Sequence, residues 1–247
     1  MANIQYEEKI RMIRDYVALD IETTGVSPDG NRIIEIGGVK VVDGGEEETF
    51  SELVNPGCSV PPFITEITGI DDGMVSGCRG IEEVMPDFMK FCEGFVILGH
   101  NLKFDYSFLS VNAERMGMKF NNTGIDTLRI AKKCVTGVKC RKLDYLCEYY
   151  GIEDKEHHRA LNDAVAASRL YMKLWELYGE EQPDVFGTEQ FGYKAKKQSP
   201  ITERQKAYLI DLIKYHRIVF EYDIDELSKS EASRHIDRII STYGRIR

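Results

Sequence analysis

Along the chain, short β-branched apolar runs come first and helically spaced apolar positions come later, with polar and glycine-rich breaks between them. Residues 16–22, YVALDIE, form an apolar run of strand length. The next run, RIIEIGGVKVV over 32–42, is rich in β-branched residues, and Asp43-Gly44-Gly45 predicts a tight hairpin turn into ETFSELV. After an N-terminal segment with some helical character, the chain therefore begins with three consecutive strands, read as antiparallel neighbours. From Asn55 to Gly80, Pro56, Pro61, Pro62 and several glycines predict mostly loop, with at most short helical turns.

Ile81, Val84, Met85, Phe88 and Phe91 are then spaced for a helix. FVILGHN is a short apolar strand of the kind buried in a parallel sheet, and FDYSFLSVNAERMG returns to helical spacing. GIDTLRIAKKCV predicts a short strand running into a helix, and KLDYLCEYYG a helix stopped by Gly151. ALNDAVAASRLYMKLWELYG predicts a long helix with Leu161, Val165, Ser168, Met172 and Trp175 near one face. Five strands followed by, and alternating with, helices define an α/β fold with a mixed sheet. Residues 179–200 lose apolar periodicity and gain Gly, Pro and charge, which predicts a linker. Two amphipathic helices follow within 201–247, with Thr202 and either Ser228 or Ser230 as N-caps.

Of 247 residues, 43% are hydrophobic, enough to fill a core, and no apolar run approaches the ~18 residues that span a bilayer. The start, MANIQYEEKIRMIRDY, does not resemble a signal peptide. Cys58, Cys78, Cys92, Cys134, Cys140 and Cys147 form no Cys-x-x-Cys pair, so free thiols and a reducing cytoplasm are expected rather than zinc. The net charge of −9 is unevenly distributed: residues from Lys194 onward carry +4 and those before it −13. An acidic body with a mildly basic C-terminal module is compatible with nucleic-acid chemistry, because a site that concentrates carboxylates to hold cations is itself acidic.

Three groups of polar residues carry candidate chemistry. Asp20 and Glu22 lie two apart in an apolar strand, so both side chains project from one face. Their repulsion there calls for a compensating positive charge such as a divalent cation; alone, an Asp-x-Glu pair equally describes a solvated surface. His100-Asn101-Leu102-Lys103-Phe104-Asp105 follows a buried strand, where open α/β sheets build their sites, although Asp105 also suits a plain helix start. His158 and Asp163 are separated by about 500° of helical rotation, so they converge only if His158 lies in the loop before the helix. His157 is an alternative imidazole, less well placed on motif spacing. Asn101 suits either a place near the site or strand-end capping, and Asp126 either bonds that order the site or an N-cap.

Asp20-x-Glu22-Thr23-Thr24-Gly25, His100-Asn101-x-x-Phe104-Asp105 and His158-x-Ala160-x-x-Asp163-Ala164 resemble, in order, the three motifs of the DEDDh 3′→5′ exonuclease superfamily. The resemblance runs from about Asp15 to Tyr178 and is greatest to the epsilon proofreading subunit of bacterial DNA polymerase III and the exonuclease domain of PolC, also through Ile67-Thr68-Gly69-Ile70. It implies an RNase H-like five-stranded mixed sheet flanked by helices over 1–178, ahead of the linker over 179–200 and the small helical module over 201–247 that the apolar pattern predicts. It also implies two divalent cations, Mg²⁺ or Mn²⁺, with Asp20 bridging them, Glu22 and Asp163 completing one site, and Asp105 supporting the other directly or through water. His158 would act as the general base, and Thr23, Thr24, Gly25, Phe104 and Asn101 would hold or flank the terminal nucleotide. The expected reaction is release of nucleoside 5′-monophosphates from DNA 3′ ends in proofreading or repair, with a DNA polymerase as partner. The alternatives are RNA trimming and a non-catalytic nucleic-acid-binding relic, the latter disfavoured because all four carboxylates and the histidine are present. The basic tail, with Arg204-Gln205-Lys206 and Leu227 to Ser233, is similar to small helical units appended to bacterial and phage nucleic-acid enzymes. It is expected either to grip nucleic acid or a partner, or to pack as a plain helical pair.

Overall fold

Tyr16–Thr23 forms β1, Ile33–Val42 forms β2 and Gly45–Leu53 forms β3, an antiparallel meander. The computed structural model describes residues 11–153, 158–193, 199–220 and 222–246. The chain divides into two compact units, Met1–Tyr193 and Lys194–Arg247. Of the N-terminal segment expected to have helical character, residues 11–15 form no helix and the rest lies outside the described residues. The β2–β3 turn is the two-residue loop Asp43-Gly44, with φ of 52° and 82°. Positive φ at both central residues matches the right-handed twist of the flanking strands, which explains Asp-Gly there.

The Asn55–Gly80 stretch carries two short helices, α1 (Pro62–Thr68) and α2 (Asp72–Val75). They close over a small apolar cluster of Ile34, Val60, Ile64, Ile70 and Val75. Then follow α3 (Ile81–Phe91), β4 (Val96–Gly99), α4 (Lys103–Arg115), β5 (Thr123–Asp126), α5 (Thr127–Cys134), α6 (Leu143–Tyr150) and α7 (Ala160–Tyr178). The predicted strand and helix order is thus present, in a sheet of order β3-β2-β1-β4-β5 with β1, β4 and β5 parallel.

The sheet has six strands rather than five. Within the stretch expected to be linker, Pro183–Phe186 makes a 3₁₀ turn and Glu189–Gln190 forms β6, antiparallel to β5. Phe186 is buried against Tyr171 and Trp175, and this apolar anchor, isolated in a polar segment and therefore without periodicity, keeps the chain on the first unit through Tyr193.

Alternation along β1 divides the core. Val17, Leu19 and Ile21 face α3 and α4 in one apolar cluster, while Tyr16 and Ala18 face α5, α6 and α7 in the other. Asp20 and Glu22 continue the Tyr16/Ala18 row, so the period of two delivers both carboxylates to the α7 side. The face that α7 buries differs from the expected one: Ala160, Ala164, Ala167, Ser168, Tyr171 and Leu174 are buried, and of the predicted set only Ser168 is fully so. Small residues win because the helix start lies directly on β2. A Cβ at Gly37 would fall 2.1 Å from the Leu161 amide nitrogen, so a side chain there would expel the helix. Ser168 is placed by its hydroxyl, 2.9 Å from that of buried Tyr16.

In the second unit, α8 (Glu203–His216) and α9 (Lys229–Tyr243) pack around Leu209, Leu212, Ala232, Ile236 and Ile239. Both helices begin in capping boxes, Thr202 with Gln205 and Ser228 with Glu231, so Ser228 rather than Ser230 is the cap.

Candidate active site

Four elements meet at the carboxyl ends of β1 and β4. β1 supplies Asp20 and Glu22, the first turn of α4 supplies Asp105, the first turn of α7 supplies Asp163, and the residues just before α7 supply His158. Ligand atoms of Glu22, His158 and Asp163 all lie within 4.8 Å of one another, a spacing that suits a shared cation. His158 is exposed and lies two residues before the helix, with a positive φ of 67°, so the turn rather than the helix aims its ring. His157 lies outside the described residues.

Asp105 is almost fully buried, and its Oδ1 accepts the Ile21 amide N–H at 3.1 Å, which locks the start of α4 to the strand between Asp20 and Glu22. Burial raises the Asp105 pKa to about 8, against the pull of that hydrogen bond and with help from Asp126 and Asp163. Glu22 is likewise pushed up to about 8, first by burial and then by Asp163, Glu35 and Asp105. Asp20 is held well above the carboxylate range by burial and by Asp105, Asp163 and Glu22 around it. A half-buried cluster of mutually repelling carboxylates with an imidazole at its rim is an oxygen-rich donor set that fits a hard divalent cation.

The residues predicted to hold a nucleotide line the same edge. Thr23 and Thr24 are buried where the β1–β2 register shifts, and their hydroxyls brace the turn. Thr23 Oγ1 donates to the Gly25 carbonyl at 2.8 Å, and Thr24 Oγ1 accepts from the Arg32 amide at 2.9 Å. Phe104 is half-buried, 5.1 Å from the Phe108 ring centroid. Asn101 is exposed with φ of 69°, and its amide N–H, not its side chain, bonds to Asp126 Oδ1 at 2.9 Å. Asp126 also caps α5 by accepting from Leu128 N at 2.9 Å, so the N-cap weighed for it is present. His100 takes no part in the cluster. Its Nδ1 lies 2.8 Å from Thr127 Oγ1 and its Nε2 2.8 Å from the Arg141 carbonyl, and burial lowers its pKa.

One residue of the site escaped the sequence reading. Glu35 is 1% exposed and stands directly across the β1–β2 ladder from Glu22. Its carboxylate accepts from Arg159 Nε at 3.0 Å, Arg159 Nη2 at 2.7 Å and the Ala160 amide at 3.0 Å. It thereby clamps the chain between His158 and α7 onto β2. The available signal was a lone carboxylate in RIIEIGGVKVV, the same anomaly that singled out Asp20 and Glu22.

A mixed six-stranded sheet with acidic residues at the carboxyl end of its central strand is the architecture of the RNase H-like nucleases. The chain belongs to the exonuclease family, whose model matches residues 17–171. It is 39% identical to a DNA polymerase III PolC-type from Caldanaerobacter subterraneus subsp. tengcongensis over 69% of this chain, which spans only 12% of that relative. It is 35% identical to DNA polymerase III subunit epsilon from Aquifex aeolicus, over 66% of this chain and 84% of the relative. Among solved structures, Exonuclease X in complex with 5′ overhanging duplex DNA aligns at 26% identity and TM-score 0.55, over 70% of this chain and 99% of that one. E. coli Exonuclease I in complex with a dT13 oligonucleotide shares the fold at 19% identity and TM-score 0.60, over 70% of this chain and 42% of that one.

Proposed function

We propose that this exonuclease hydrolyses terminal phosphodiester bonds of DNA in the 3′→5′ direction, releasing nucleoside 5′-monophosphates during proofreading or repair. The observation that carries the proposal is the convergence of Glu22, His158 and Asp163 within 4.8 Å, beside the half-buried carboxylate of Asp20 and the buried one of Asp105. The PolC-type and epsilon names of the relatives support DNA as substrate and a DNA polymerase as partner.

In this proposal Asp20, Glu22, Asp163 and Asp105 hold two divalent cations, Mg²⁺ or Mn²⁺. When bound, the ions supply the positive charge that acidifies the attacking water and stabilises the leaving 3′ oxygen. An imidazole nitrogen of His158 takes the proton from the water as its oxygen bonds to phosphorus and the bond from phosphorus to the 3′ oxygen breaks. A histidine at the exposed rim passes that proton to solvent, and the leaving oxygen gains one from solvent. Thr23, Thr24, Gly25 and Phe104 bind the terminal nucleotide, with Asn101 beside it. Residues 201–247 act as a separate module that grips nucleic acid or a partner. Six free cysteines support a cytoplasmic setting, and no described helix is long and apolar enough to cross a membrane.

Digestion of matched 5′-labelled DNA and RNA oligonucleotides with Mg²⁺, Mn²⁺ or EDTA tests the proposal. A metal-dependent ladder shortening from the 3′ end of DNA is expected. Faster loss of RNA would replace the substrate, and no cleavage under any condition would leave a binding protein.

A further inference from the structure

The C-terminal unit distributes its apolar residues unusually. Its fully buried core is aliphatic, built on Leu209, Leu212, Ala232, Ile236 and Ile239. Its tyrosines lie largely outside: Tyr215, Tyr222 and Tyr243 are 52%, 50% and 56% exposed. Exposed aromatic residues that are grouped rather than scattered mark a surface that interacts with something.

Tyr222 and Tyr243 edge a groove of about 390 Å³ between the segment after α8 and the exposed side of α9, lined also by Val219, Phe220, His235 and Arg238. The His235 ring lies 4.9 Å from Phe220, edge to face, and 4.8 Å from Tyr222, tilted, centroid to centroid, so the three rings form one aromatic cluster. At the other end the Tyr243 ring lies tilted 5.6 Å from His216, which meets Tyr215 edge to face. Burial, then the charges of Arg234 and Arg238, lower the His235 pKa, while Glu231 opposes them. Nearby acids are occupied locally: Asp223 caps the turn at Ile224–Glu226, and Asp225 pairs with Lys206. From Lys194 onward the chain carries 12 basic and 8 acidic residues, against a strongly acidic remainder.

We propose that this groove binds single-stranded nucleic acid, with bases stacking on Tyr222, the Phe220/His235 pair and Tyr243, and Arg238 meeting the phosphate backbone. Aromatic faces accept any base, and an arginine beside them adds phosphate and cation–π contacts, the combination used for binding strands without reading sequence. An apolar peptide would fill the same volume but gains nothing from the arginines or the basic balance. The inference rests on the reading that this chain acts on nucleic acid, and it extends that reading to a second binding surface, on the C-terminal unit.

The test is fluorescence anisotropy of the full chain with 5′-fluorescein oligothymidylate and oligouridylate in EDTA, which silences hydrolysis. Tyr222→Ala is expected to weaken binding by about 5- to 100-fold, and Tyr222→Trp to retain it. Arg238→Ala should weaken binding and lower the salt slope by about 1. The two oligonucleotides show whether the groove prefers DNA or RNA. Tyr222→Ala and Arg238→Ala variants that keep their circular dichroism and bind like the unaltered chain would overturn the groove and leave protein docking as its use. Binding without metal-dependent digestion would sink the nuclease proposal alone, whereas digestion with unaffected variants would sink the groove alone.

Discussion

The carboxylate edge of the first unit and the helix pair of the second are built by opposite means. At the edge, residues as far apart as Asp20 and Asp163 are forced together although their charges repel, and burial pushes Glu22 and Asp105 up to about 8. The helix pair is assembled from local signals: each helix carries its own capping box, and the core between them is aliphatic. The contrast shows where stability is being surrendered. The first unit tolerates a repulsive cluster because a large core and the Glu35–Arg159 clamp hold it in place, whereas the second rests on a smaller core.

The sharpest way to break the contrast is to remove a charge from the cluster. Asp20→Ala or Asp163→Ala should abolish cleavage of labelled DNA while leaving the melting temperature unchanged or raised, since each relieves repulsion. Retained cleavage in either variant would end the metal-ligand assignment. His158→Ala should lower turnover by ~10²–10⁴-fold with metal affinity kept, as measured by single-turnover kinetics and calorimetry. If His157→Ala has that effect instead, the base is misassigned.

Glu35→Gln comes next. It leaves Arg159 and the Ala160 amide facing a partner without negative charge. Turnover should fall by about 10–100-fold and stability by about 1–3 kcal/mol, read by kinetics and urea unfolding. Arg159 is partly exposed, which keeps the stability loss below that of a fully buried pair. Unchanged turnover would reduce the clamp to packing.

The pH dependence of stability has a definite sign. Unfolded carboxyls titrate near ~4, whereas Glu22 and Asp105 titrate at about 8 in the folded metal-free protein. Between those values the folded state holds protons that the unfolded chain has lost, so stability falls as pH rises. Melting scans in EDTA should show this fall, and Mg²⁺ or Mn²⁺ should reduce it. A melting temperature that stays level or rises across the window would mean that the folded cluster gives up its protons no later than the unfolded chain does. The smallest effect belongs to the second unit, where Ser228→Ala should cost about 1 kcal/mol, read as earlier loss of hydrogen-exchange protection in α9 than in the sheet.

Much of this was legible because it is periodic. A run such as YVALDIE declares its strand and, by alternation, the shared face of Asp20 and Glu22. Gly151 and Thr202 mark helix ends for local reasons that need no partner. What failed was contextual. The buried face of α7 was misread because large apolar residues suggest a core, whereas close approach to β2 at Gly37 selects alanines. β6 was missed because two residues carry no period, and its anchor is one phenylalanine, Phe186. Glu35 was passed over because its partners lie 124 and 125 positions away.

By itself, the sequence determined the element order, the face carrying the strand carboxylates, the helix caps of the tail and the uneven charge. These follow from dihedral preference, side-chain period and composition, which act within a few residues. Only the tertiary structure decided that Glu22, His158 and Asp163 meet, that Glu35 holds the turn before α7, and that the tail exposes its tyrosines. Those outcomes depend on which surfaces come within hydrogen-bonding and van der Waals reach once the core closes, a property of packing that no local window of the chain contains.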